Sequence, residues 1–139
     1  MPQSMMLVTT DAVLSEAIRA ACLGVSNVDV TVVKTGPEAT QIYVVQEEAH
    51  RPFDVLVIDL GTEGVLGWNI AGKIRTYLGS VTPVILVAAS GTDGEARSLK
   101  YADSVRGVVL LARPLNIVQA TLEIKIALLR ISRGLGIPK

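Results

Sequence analysis

Phe53-Asp54-Val55-Leu56-Val57-Ile58-Asp59-Leu60-Gly61-Thr62-Glu63-Gly64-Val65-Leu66-Gly67-Trp68 is the stretch on which the reading of the chain turns. Val55 to Ile58, with Leu60 just beyond, are aliphatic, and a single acid, Asp59, interrupts them. A short continuous apolar run bounded by turn formers predicts a strand buried on both faces of a parallel sheet. An unpaired buried charge is costly, so a carboxylate kept in such a run points to a use for it. Gly61 to Gly64 break the run and leave Asp59 at the carboxyl end of its strand. In open α/β sheets that edge is where ligands and chemistry collect.

On either side of this stretch, apolar runs and helical spacings alternate. Met5 to Val8 reads as a strand, and Thr9-Thr10-Asp11 as a cap-like cluster before a helix carrying Val13, Leu14, Ala17, Ile18, Ala21 and Cys22. Val28 to Val33 is a second strand, and Pro37 sits where a helix opens, at the position that needs no N–H. That helix ends in the polar Glu47 to Arg51, and Pro52 stops it. After the opening stretch, Trp68 to Tyr77 resumes helical spacing, Pro83 to Ala89 is a fourth strand, and Glu95 to about Ala102 a modest helix. Val108 to Ala112 is the fifth strand, Arg113-Pro114 turns the chain, and Leu115 to Arg130 is the last helix. Five strand–helix pairs predict an α/β fold, a doubly wound five-stranded parallel sheet with helices on both faces. The expected domain spans residues 1–132, with 133–139 a tail or the start of a linker.

Composition narrows the class. At 139 residues the chain is one domain, and with half of it hydrophobic and 4% aromatic the core must be aliphatic. Thirteen basic residues balance thirteen acidic ones, which leaves no electrostatic footprint for nucleic acid. No apolar run approaches the ~20 residues of a membrane span and no signal peptide is visible, so a cytoplasmic protein is expected. The lone Cys22 lies in an apolar helical stretch without a basic neighbour to activate it and reads as a small buried hydrophobe. His50, the lone histidine, sits at a polar helix end and reads as solvated or C-capping. Gly61 to Gly64 lack the Lys-Ser/Thr of a P-loop, no dinucleotide fingerprint follows the first strand, and Ser4, Ser90 and Ser98 have no nucleophile-elbow context. No enzyme is expected.

Taken together, Pro52-Phe53-Asp54 through Asp59-Leu60, Gly64 to Trp68, Ile74-Arg75, Pro83 to Ala89 and Arg113-Pro114 resemble, in order and spacing, the receiver domain of bacterial response regulators. The resemblance runs from about Met6 to Arg130 and implies the CheY-like strand order 2-1-3-4-5 with five helices. It implies a two-component signalling role, with Asp59 as phosphoacceptor for a sensor histidine kinase. It also implies a Mg²⁺ site at Asp59, the Gly61 carbonyl and an acidic pair after the first strand, and switch positions at Ala88 and Arg113. The pair falls on Thr9 and Thr10, and Thr10 is the weak candidate ligand left in its place. Neutral hydroxyls are poor Mg²⁺ ligands. Asp11 falls one step further on and reads as a helix cap. Ala88 lacks the switch hydroxyl, with Ser90 two residues later, and Arg113 stands where the family has Lys. Mg²⁺-dependent phosphorylation is therefore expected to be weak or absent, and a salt bridge from Asp59 to Arg113 is the alternative fate of the acid.

The last helix carries two apolar bands. Leu115, Val118, Leu122, Ile126 and Leu129 form one stripe, expected to pack on the sheet. Ile117, Ala120, Ile124, Ala127, Leu128 and Ile131 form a second, whose Ile117, Ile124, Leu128 and Ile131 are read as the surface for a homodimer or another signalling partner. A reading from another class stays open at this point, a flavodoxin-like small enzyme or cofactor-binding domain that shares only the fold.

Overall fold

The computed structural model describes residues 3–23, 27–62, 69–77, 82–89, 91–105 and 108–132. Strands β1 (Gln3–Val8), β2 (Val28–Val33), β3 (Val55–Asp59), β4 (Val84–Val87) and β5 (Val108–Leu111) alternate with helices α1 (Ala12–Leu23), α2 (Gly36–Glu48), α3 (Ile70–Tyr77), α4 (Thr92–Asp103) and α5 (Ile117–Ser132). The strands form the one parallel sheet that their alternation predicts, in the order β2-β1-β3-β4-β5 that the resemblance implies. All five residues of β3 are buried. Because successive strand residues point to opposite faces, Met6, Val8, Leu56, Ile58 and Leu86 join the core beneath α2, α3 and α4. Met5, Leu7, Val55, Val57, Ile85 and Val87 join the core beneath α1 and α5.

That parity also aims the carboxyl edge. Asp59 continues the Val55, Val57 series and Thr9 the Met5, Leu7 series, and the register sets Met5 opposite Val55 and Leu7 opposite Val57. Thr9 and Asp59 thus leave adjacent strands towards the same layer, that of α1 and α5. Arg113 follows Leu111, which belongs to that layer too.

Helix boundaries follow their caps. Asp11 Oδ1 accepts from the N–H groups of Val13 and Leu14, opening α1 as expected of a cap. Thr35 Oγ1 accepts from Glu38 N–H, with Pro37 in the first turn of α2. α4 begins three residues earlier than its weak apolar spacing suggests, behind Gly91 with φ +84°. At the end of α2, Arg51 N–H donates to Gln46 O and His50 N–H to Glu47 O, with His50 left-handed at φ 58°. This is a Schellman end with histidine where glycine is favoured, so the C-capping reading of His50 holds. A left-handed non-glycine residue costs roughly 1–2 kcal/mol, partly recovered through glycine's larger unfolded-state entropy. His50→Gly is therefore expected to stabilise the protein by up to about 1 kcal/mol in urea unfolding. Cys22 is buried, and burial pushes its thiol pKa up, in line with the small-hydrophobe reading.

The last helix corrects the sequence reading. Ala120, Ile124, Ala127 and Leu128 are buried against the sheet and α1, whereas Val118, Leu122, Ile126 and Leu129 are exposed. Most of the two bands have exchanged places, although Leu115 packs part-buried against the core and Ile117 is exposed. Both bands have helical spacing, and size decides between them: Ala120 and Ala127 let α5 approach α1 closely, where Ala21 faces the same core. Ile124 and Leu128 are thus core residues, not a partner surface. The Ile131 side chain lies outside what the structure describes, as do Ser90 and the Glu63 to Trp68 part of the opening stretch.

Candidate functional site

Asp59 ends β3 with 2% of its surface exposed, and the chain itself satisfies it. Oδ1 accepts from Gly61 N–H at 2.8 Å and from Arg113 Nη2 at 2.5 Å. Oδ2 accepts from Thr9 Oγ1 at 2.7 Å and from Thr62 Oγ1 at 3.3 Å. A carboxylate offers about four lone-pair positions. All four are taken.

Arg113 is the hub around which the loops meet. Its Nε donates to Ala88 O at 2.7 Å, and Nη1 to Asp11 Oδ2 at 3.2 Å. One guanidinium therefore ties the loop after β1, the end of β3, the loop after β4 and the turn after β5. Burial alone would lower the Arg113 pKa, but the hydrogen bond and charge of Asp59, followed by those of Asp11, more than reverse this and raise it. Asp11 is held below the usual carboxylate range, chiefly by Leu14 N–H and next by Arg113. The Arg113–Pro114 peptide bond is cis.

The β4–α4 loop is fixed from its other side as well. Ala89 N–H donates to Ser98 Oγ at 2.9 Å, and Ser98 Oγ donates to Gly94 O at 2.7 Å, with Ser98 fully buried. A Cβ on Gly94 would lie 3.0–3.2 Å from Ala89, so glycine is what lets helix and loop approach this closely. Gly61 is held likewise: a Cβ there would come within 3.1 Å of Asp59 Oδ1 and 3.5 Å of Arg113 Nη2.

Of the positions singled out in the sequence, Asp59, Thr9, Gly61, Ala88 and Arg113 come together. Their roles differ from those the family pattern implies. Gly61 meets Asp59 through its N–H. Ala88 contributes a carbonyl to Arg113 and no side-chain group. Thr10 is exposed and takes part through its backbone N–H, which donates to Thr62 Oγ1 at 3.2 Å. Strand parity accounts for this, since Thr10 is one residue out of phase with Thr9. Asp11 serves both as cap and as second carboxylate for Arg113. Thr62 and Ser98 are contributors that sequence reasoning missed.

These residues do not fit a Mg²⁺ ion. Among the described residues no group of three or more His, Cys, Asp or Glu could hold a metal. The Asp59 oxygens have no lone pair to spare, and a guanidinium stands against them where a cation would have to bind. The internal cation has taken that position.

No protein-family model matches the chain, and no curated protein matches it in sequence. Solved structures do match. A response regulator receiver domain protein from Clostridium thermocellum superposes with a TM-score of 0.69 at 16% identity, over 94% of this chain and 98% of that one. A response regulator receiver protein from Sinorhizobium medicae WSM419 gives 0.69 at 18%, over 91% and 94%. A receiver domain of a Francisella response regulator gives 0.64 at 21%, over 93% and 98%. The chain has the receiver-domain, CheY-like fold. Among the described residues no helix is long and apolar enough to cross a membrane.

Proposed function

We propose that this chain is a receiver-type module of two-component signalling in which a standing Asp59–Arg113 ion pair replaces Mg²⁺-dependent phosphorylation. It acts by protein–protein contact and catalyses no reaction. Its partners on this reading are signalling proteins, a sensor histidine kinase among them, and a second copy of itself. The observation that carries the reading is the saturation of Asp59, with all its acceptor positions filled by Gly61, Arg113, Thr9 and Thr62. Phosphoryl transfer to a carboxylate needs an oxygen lone pair free for in-line attack and cations offsetting the charge on the transferring oxygens. Here attack would first require expulsion of Arg113, and the expelled guanidinium would leave Asp11 without its partner as well.

Incubation with acetyl phosphate and Mg²⁺ followed by intact-mass measurement tests this. The expected result is an unchanged mass. A one-phosphoryl adduct that disappears in Asp59→Ala would overturn the proposal and restore Asp59 as a working acceptor.

A further inference from the structure

Two clefts adjoin where α3 meets α4. One, of about 290 Å³, is lined by Gly72, Arg75 and Thr76 with Ser104 and Val105. The other, of about 380 Å³, is lined by Arg97, Lys100, Tyr101 and Ser104. Ser104 belongs to both, so together they make one groove. Its walls are tied by Tyr101, whose hydroxyl accepts from Ala71 N–H at 3.2 Å, while Ser104 Oγ donates to Tyr101 O at 2.7 Å. The charge of this groove sets it apart. Three cations, Arg75, Arg97 and Lys100, line it and no carboxylate does, in a chain with as many acids as bases. The clefts beside α1 are mixed, with Asp11, Glu95 and Arg113 in one and Glu16, Asp29 and Arg19 in the other. Among the described residues neither Arg97 nor Lys100 forms an ion pair. Three residues apart on one helix face, the two repel each other, and an anion between them would turn that repulsion into attraction.

We propose that the α3–α4 groove binds a compact ligand carrying a diphosphate group, free or as a nucleoside diphosphate. A diphosphate bears about three negative charges, against about two for a monophosphate, and so matches the three cations. Arg75 and Arg97 offer planar forks that take phosphate oxygens two at a time, Lys100 a point charge, and Ser104 a hydroxyl at the junction. Flanking acids select for compactness. Asp93, one turn before Arg97 on the same face of α4, and Asp103, beside Ser104, are exposed but line neither cleft. They would repel a longer polyanion, such as a nucleic acid or an acidic segment, running on along the helix. The groove shares no residue with the Asp59 site, so the proposal goes beyond the signalling reading and does not depend on it.

Isothermal titration calorimetry on the whole chain, at low salt and without divalent metal, tests this with inorganic pyrophosphate and with ADP. The expected result is one-to-one binding of both with a Kd below ~1 mM, weakening as salt is raised. AMP should bind about fivefold more weakly, having fewer charges to offer. Arg97→Gln with Lys100→Gln should raise Kd by about tenfold or more with an unchanged circular dichroism spectrum, because both side chains are exposed. Arg19→Gln with Lys125→Gln removes the same charge from exposed sites on α1 and α5 and should leave Kd within about twofold. Ser104→Asp, which sets a carboxylate at the junction, repeats the test should the first variant misfold. ADP bound more tightly than pyrophosphate assigns the nucleoside form, and equal binding assigns the diphosphate group alone; both uphold the proposal. Silence from both diphosphates at about 5 mM overturns it. So does a groove variant that binds as the parent does, a control pair that weakens binding equally, AMP bound as tightly as ADP, or a hexaglutamate peptide bound more tightly than pyrophosphate. The acetyl phosphate result bears on none of these outcomes, so either proposal can fail alone.

Discussion

Arg113→Ala is expected to lower stability at pH 7 by about 3 kcal/mol, the low end of what breaking a buried ion pair from one side costs. The low end applies because Arg113 keeps 22% of its side chain in contact with solvent and because Gly61, Thr9 and Thr62 go on donating to the stranded Asp59. The cost is asymmetric. Asp59→Asn leaves a guanidinium that still reaches Asp11, Ala88 and water, and should lose only about half as much. Combining Arg113→Ala with Asp59→Asn should recover much of the single-variant loss, with an interaction energy of about 1–2 kcal/mol in the double-mutant cycle. Asp11 has a lowered pKa, so the stability it contributes is present above the ordinary carboxylate range and lost as pH falls through its folded value. That loss should shrink in Arg113→Ala, which removes one cause of the lowering. Urea unfolding at pH 7 and at a pH below the ordinary carboxylate value of 3.8 checks this. Equal losses for Arg113→Ala and Asp59→Asn at both pH values would mean that the pair is a surface contact.

How much of this was legible beforehand depends on whether identity or geometry carried the information. Asp59 declared itself, because an acid inside an apolar run conflicts with its surroundings. Arg113 was recoverable from its place after the fifth strand, and the pairing of the two was one of the fates open to Asp59. Thr62 could not be read, because a threonine in a glycine-containing loop is unremarkable until the chain folds it back onto Asp59 Oδ2. Nor could Ser98, which looks like a surface position of α4 yet caps Ala89 N–H from full burial. Ala88 illustrates the limit best. Its side chain says that the switch hydroxyl is missing, while its contribution comes from a carbonyl that every residue possesses. Strand parity was available from the sequence and would have chosen Thr9 over Thr10, since Thr9 shares the phase of Met5 and Leu7.

Truncating Ile124 on α5 should cost about 3 kcal/mol and Leu128 a similar amount, whereas Leu122→Ala and Val118→Ala should each stay within about 0.5 kcal/mol. Ile124 is 1% and Leu128 3% exposed, both in the core that α5 shares with α1, β1, β3, β4 and β5, so each truncation removes apolar contacts and leaves a cavity. Leu122 and Val118 already face water, and shortening them changes little but exposed area. Spacing alone could not separate these bands, because four-residue steps run through both Ala120-Ile124-Leu128 and Val118-Leu122-Ile126. What separates them is volume. The inner band interleaves two alanines with its large residues, and a helix lying close to a sheet and to a neighbouring helix needs such gaps. The outer band is large throughout, and turned inward it would overfill the same space. Urea unfolding at low micromolar protein keeps self-association from adding to the outer-band values. If Leu122→Ala cost several kcal/mol there and Ile124→Ala almost nothing, α5 would have to be turned half-way round.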